Sequence, residues 1–134
     1  MIFVDTSGIL ALADASDRWH AAARQAYEEQ VRNGETLVVT NLIWAETIAL
    51  VERRLSRDVA ILVARALERG YRTEWVDPRR HAMALESWRA GRVSGASFVD
   101  CASFVVMREV GIDRFLGFDR HFSAAGFHPI CGSS

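Results

Sequence analysis

The chain has 134 residues, 50% of them apolar and 25% charged, an ordinary balance for one globular domain with its own core. Its net charge of −1 gives no global basic footprint of the kind that carries non-specific nucleic-acid binding. All sixteen basic residues are arginine, which excludes Schiff-base catalysis, a Walker-type phosphate loop and a receiver-type phosphorylation site, since each needs a lysine.

The first element is the short apolar strand "IFV" (2–4). The start "MIFVD" has neither the basic residues nor the long apolar stretch of a secretory signal, and no later run approaches a membrane span. A soluble, cytoplasmic protein is the expectation. A helix is expected from Thr6 to Ala13 and a second from Asp17 to Arg32, capped by Ser16 and ended by Gly34. "TLVV" (36–39) reads as a strand, followed by helices from Asn41 to Leu55 and from Arg57 to Arg69, the latter stopped at Gly70. "TEWV" (73–76) is the third strand, and Pro78 opens a helix to Ala90. "ASFVDCASFVVMREVG" (96–111) is a helix, and "RFLGF" (114–118) and "FHPI" (127–130) are the last strands. Strands separated by helices predict a three-layer α/β/α fold around a parallel sheet of about five strands.

In such a sheet ligands bind beyond the carboxyl ends of the strands. Asp5 and Asp119 stand at two of those ends, each opening a helix, where a capping role would suffice for either alone. Glu46 and Asp100 are expected inside helices. The neighbours of Glu46 three and four positions away are Leu42, Ile43, Ala49 and Leu50, and those of Asp100 are Ala96, Ser97, Ser103 and Phe104. Pairing with a buried arginine would account for either one singly. Together, four carboxylates converging on one crevice repel one another unless a cation neutralises them. A hard divalent ion with oxygen ligands answers that need, and it can stabilise charge on a phosphodiester during in-line displacement.

These residues carry a resemblance. "FVDTSGILAL", "VVTNLIWAET" with Glu46, "SFVDCASFVVMRE" with Asp100 and "FLGFDRHF" with Asp119 occur in order and at spacings that resemble a PIN-domain ribonuclease. The likeness is to the VapC toxins of bacterial type II toxin–antitoxin modules, and it spans residues 1–134 as a single domain. The resemblance implies Mg²⁺- or Mn²⁺-dependent endonucleolytic cleavage of RNA, of the tRNA or ribosomal RNA class, leaving a 3′-hydroxyl and a 5′-phosphate. It implies Asp5 and Asp100 as the principal metal ligands, Glu46 completing the site, and Asp119 supporting a second metal or positioning the attacking water. Thr6 and Ser7 would hold water at the metal or the scissile phosphate, or serve as caps. The implied partners are a VapB-type antitoxin, whose C-terminal segment lies in the groove with an arginine reaching the acidic site, and a second copy of the chain as a homodimer.

Other residues are set aside. His20, His81, His121 and His128 lack metal-ligand spacing and are given no catalytic role. Arg120 is expected in an exposed salt bridge, and most of Trp19, Trp44, Trp75 and Trp88 in core or dimer packing rather than on bases. Cys101 and Cys131 are too few for a disulfide framework; Cys101 lacks a basic neighbour and is taken as packing. Asp14, Asp17 and Asp113 are expected to be solvated or capping. The alternatives are a housekeeping RNA-processing nuclease of the same fold and a non-catalytic binding module on a PIN scaffold. A neighbouring antitoxin-like reading frame separates the first from a toxin, and divalent-metal binding separates the second. A phosphatase of the haloacid-dehalogenase type is disfavoured, because "VDTSG" lacks the second Asp two positions on.

Overall fold

The computed structural model describes residues 1–131, so residues 132–134 of the expected domain lie outside the description. Five strands form one sheet: β1 (Ile2–Val4), β2 (Leu37–Thr40), β3 (Tyr71–Glu74), β4 (Arg114–Leu116) and β5 (His128–Pro129). Every pairing is parallel, and the strand order is β3-β2-β1-β4-β5. Seven helices connect or flank them: α1 (Thr6–Ala13), α2 (His20–Arg32), α3 (Asn41–Arg54), α4 (Arg57–Gly70), α5 (Pro78–Ala90), α6 (Phe98–Val110) and α7 (Arg120–Ala124). This is the expected parallel α/β architecture. Among the described residues no helix is long and apolar enough to cross a membrane.

The strands β1 and β2 are buried along their whole length, as continuous apolar runs in a sheet covered on both faces must be. The chain proceeds from β1 outward through β2 to β3, then returns to lay β4 on the other side of β1. The strand order therefore reverses between β1 and β4, and a crevice opens there beyond the carboxyl ends. Asp5 and Asp119 leave those two strands.

Several expected boundaries move. The second helix begins at His20 rather than Asp17, with Trp19 at its N-cap and no side-chain capping bond. Ser16 is not its cap: the Asp14 carboxylate accepts from the backbone N–H and hydroxyl of Ser16, and Asp17 accepts from the Trp19 N–H. These local aspartate turns hold the segment out of the helix. Asp14 and Asp17 thus do the capping and turn work expected of them. Gly70 does not stop α4, which runs through it into β3 at Tyr71. The third strand accordingly occupies 71–74, not 73–76, and pairs in register with all of β2. Trp75 and Val76 fall beyond it, where the Val76 N–H donates to Asn41 Oδ1 at 2.6 Å.

Candidate active site

Asp5 follows the central strand and is the N-cap of α1. Its Oδ1 accepts from the Gly8 N–H at 2.9 Å and from the Ser7 hydroxyl at 2.7 Å. Ser7 Oγ in turn accepts from the Phe118 N–H at 2.8 Å, tying the exit of β4 to the same carboxylate. Burial pushes Asp5 up to about 7; the two hydrogen bonds pull it down, and the charges of Asp119 and Asp100 raise it further. The space for this carboxylate comes from Gly117, because a Cβ there would overlap the Asp5 side chain. The glycine of "FLGFD" is a cradle for the aspartate of "FVDTS".

Asp119 is the N-cap of α7, a helix of only five residues. Phe122 anchors that turn: it is fully buried and its ring packs against Phe3, Phe104 and Phe115 with centroids 4.9–6.0 Å apart. Such aromatic contacts add about 0.5–1.5 kcal/mol each beyond their burial. Asp119 Oδ1 accepts from the His121 N–H at 2.8 Å and lies 2.6 Å from His121 Nδ1.

Asp100 departs from the expectation. It is not in a helix interior but in the first turn of α6, which begins at Phe98. Ser97 is the N-cap, its hydroxyl accepting from the Asp100 N–H, while Asp100 Oδ2 accepts from the Ser97 N–H, both at 3.0 Å. This is a capping box, which holds the carboxylate at the start of α6, with the buried residues Phe104, Val105, Val106 and Met107 following in later turns. Ser103, expected to keep the Asp100 stripe small, donates to the Val99 carbonyl. Burial pushes Asp100 upward, the Ser97 N–H opposes it, and the charges of Asp119 and Glu46 add to it.

A ligand atom from each of Asp100, Asp119 and His121 lies within 4.8 Å of the others. Asp5 is close enough for both Asp100 and Asp119 to raise its pKa, and half-buried Glu46, on α3, acts on Asp100. The four carboxylates therefore share one electrostatic neighbourhood at the sheet's switch point. Among the described residues no arginine forms an ion pair with any of them. Simple pairing with a buried arginine does not explain these acids.

A pattern in the hydrogen bonds bears on whether a cation fits. Asp5, Asp100 and Asp119 each have one oxygen held by protein donors; among the described residues the other oxygen has none. Thr6 Oγ1, adjoining Asp5, is buried without a partner. Three fixed carboxylates with free oxygens, plus an unused buried hydroxyl, suit a hard divalent ion that takes oxygen ligands and keeps part of its water.

The chain matches a known protein family. The PIN domain family matches residues 2–128. The chain is 36% identical over 131 residues to the 23S rRNA-specific endonuclease VapC20 of Mycobacterium tuberculosis, in strains CDC 1551 and H37Rv, covering 97% of this chain and 98% of the relative. This chain belongs to the PIN-domain family, among the VapC proteins. A crystal structure of M. tuberculosis VapC20, a sarcin–ricin loop cleaving toxin, superposes with a TM-score of 0.84 at 34% identity, covering 95% and 96% of the two chains.

Within this PIN domain, sequence reasoning passed over two residues that adjoin the cluster. His121 was excluded for want of metal-ligand spacing, yet it contacts Asp119 directly. The available signal was a histidine two positions after a helix-capping aspartate, where its ring can fold back on the cap. Gly117 left the signal of a glycine between a buried strand and an acid. Other expectations also change. Arg120 is exposed and makes no ion pair among the described residues. Trp75 and Trp88 are 67% and 48% exposed, so neither is core. Trp44 is half-buried and donates to Thr73. Cys101 and Cys131 are free and buried, and burial raises both thiols, in keeping with a packing role.

Proposed function

We propose that this chain is the toxin of a type II toxin–antitoxin pair, an Mg²⁺-dependent endoribonuclease acting on ribosomal RNA in the cytoplasm. The observation that carries the reading is the gathering of Asp5, Glu46, Asp100 and Asp119, unpaired by arginine, in a chain that matches a 23S rRNA-specific endonuclease over nearly its full length. Asp5 and Asp100 would hold the cation, with Glu46 completing the set from α3. Asp119 would support the metal centre or position the attacking water, and cleavage would leave a 3′-hydroxyl and a 5′-phosphate. Bound Mg²⁺ lowers the pKa of a coordinated water and offsets charge on the phosphodiester; Mn²⁺ satisfies the same oxygen ligands. Ser7 keeps Asp5 and the Phe118 backbone in fixed relation, so the two strand ends cannot drift apart.

RNA also needs cationic contacts beside so acidic a crevice. Arg18 has its guanidinium 4.8 Å from the Trp19 ring centroid, and Trp19 stacks on Phe118, next to Asp119, at 4.9 Å and 5° between planes. The stack holds an exposed cation at the rim and supports a role in binding a flanking phosphate. Arg18→Ala is expected to raise KM for RNA about 5- to 10-fold, the loss of one charge-assisted contact, with kcat unchanged. An unchanged KM would remove this assignment.

The antitoxin has a natural berth in a groove of about 540 Å³ lined by Ile9, Leu12, Leu62, Val63 and Tyr71. Ile9 and Leu12 in its wall belong to α1, the helix that Asp5 caps. A homodimer is part of the same proposal. The test of function is to incubate purified protein with ribosomal RNA and map the ends. Discrete cuts that require Mg²⁺ and cease with EDTA are expected, as is growth arrest on induction without antitoxin. Metal-independent or absent cleavage would overturn the reading, and cleavage without growth arrest would favour the housekeeping nuclease.

A further inference from the structure

His121 makes two bonds to one oxygen, and the second is not needed for capping. The backbone N–H of His121 already caps α7 through Asp119 Oδ1 at 2.8 Å. The ring adds a second donor to that same oxygen at 2.6 Å. Because a carboxylate only accepts, Nδ1 carries the hydrogen in this bond. Two donors from one residue saturate Oδ1 and fix the carboxylate's rotation, so Oδ2 is the oxygen left over. On its other side the ring is confined by Gly95, where an added Cβ would lie 3.0 Å from His121 Nε2. Gly95 has φ +81° and sits two residues before the Ser97 cap of α6. His121 Nδ1 is also 3.9 Å from Asp100 Oδ2. The ring thus wedges between the loop that sets Asp100 and the turn that sets Asp119, with its side chain only 20% exposed.

We propose that His121 is a positioning residue of the metal centre: its Nδ1–H clamps Asp119 Oδ1, so that Asp119 Oδ2 is presented toward the cation at a fixed angle to Asp100. The proposal rests on the metal-dependent reading given above. Hydrogen-bond partners that orient metal-binding groups affect affinity by about 10- to 100-fold when removed, and this bond has the geometry of such a partner. It also accounts for a histidine beside four carboxylates without making it a ligand.

The position of the active nitrogen supplies a sharp test. An asparagine amide nitrogen occupies roughly the place of histidine Nδ1, whereas a glutamine amide nitrogen reaches the place of Nε2. Mn²⁺ binding to the full chain is measured by electron paramagnetic resonance of the free ion, for the wild type and for His121→Ala, His121→Asn and His121→Gln, with thermal melting as the fold control. The wild type is expected to bind. His121→Ala and His121→Gln should bind about 10-fold more weakly or worse, and His121→Asn should recover to within about 3-fold of wild type. Wild-type affinity in His121→Ala would overturn the proposal, as would rescue by Gln but not Asn, which would place the metal contact on Nε2. Equal weakening in all three variants with unchanged melting would also overturn it. Should the wild type itself fail to bind Mn²⁺, the metal-dependent function falls, an outcome distinct from all of these. If His121→Ala does not fold, the Asn–Gln comparison decides alone.

Discussion

Asp100→Asn should reduce RNA cleavage by about a thousandfold or more while leaving the fold in place. The magnitude follows from losing several kcal/mol of cation-mediated stabilisation at the phosphodiester, where each 1.36 kcal/mol is a factor of ten. The fold survives because the structural duty of Asp100 is to accept from the Ser97 N–H, and the asparagine carbonyl performs it as well. Asp100 Oδ2 takes the Ser97 bond and also lies 3.9 Å from His121 Nδ1, so the charge that asparagine removes is lost beside Asp119 and His121. Initial rates at saturating Mg²⁺, beside a melting curve, separate the two duties. Cleavage at the wild-type rate by a folded Asp100→Asn variant would remove Asp100 from the site. Cleavage lost together with the fold would assign it to capping instead.

Asp5→Asn should make the metal-free protein more stable, with a gain that grows with pH. Burial raises Asp5 from 3.8 to about 7, so the folded chain retains a proton that the unfolded chain releases between those values. Stability is therefore lost as pH rises through that window, and the full cost is present above about pH 7. A shift of this size corresponds to about 4 kcal/mol. Asparagine is neutral throughout and can accept the Ser7 and Gly8 bonds, so it escapes the cost. Unfolding in denaturant with EDTA should find the variant more stable than wild type at pH 8, by about 2–3 kcal/mol more than at pH 5. Added Mg²⁺ should stabilise the wild type and leave the variant nearly unmoved. Equal stabilities at both pH values would mean that Asp5 is not held in the desolvated state inferred for it.

The sequence carried the architecture because its signals were local. Apolar triplets marked the strands, and Pro78 and Gly111 marked helix ends that the structure keeps. Where local signals competed, the reading slipped. Gly70 resembled a stop, but its φ is not positive, and the demand of β3 to pair with all of β2 set the register. Ser16 resembled a cap, but Asp14 captured it first. The placement of Asp100 shows the same competition: three residues after Ser97 it reads equally as helix interior and as the far half of a capping box. The convergence of the four acids was legible because each stood at an unusual place in its own element. His121 and Gly117 were not, because their meaning lies entirely in what they touch: a carboxylate two residues back, and another 112 positions away in the chain.

The strand order also sets a schedule. Since β4 pairs with β1 only after the excursion through β3, a chain elongated only as far as Asp100 has three of the acids but neither Asp119 nor the Gly117 hollow that receives Asp5. The acidic cluster thus draws on residues as far apart as Asp5 and Asp119, and no fragment that ends before Asp119 contains all of it.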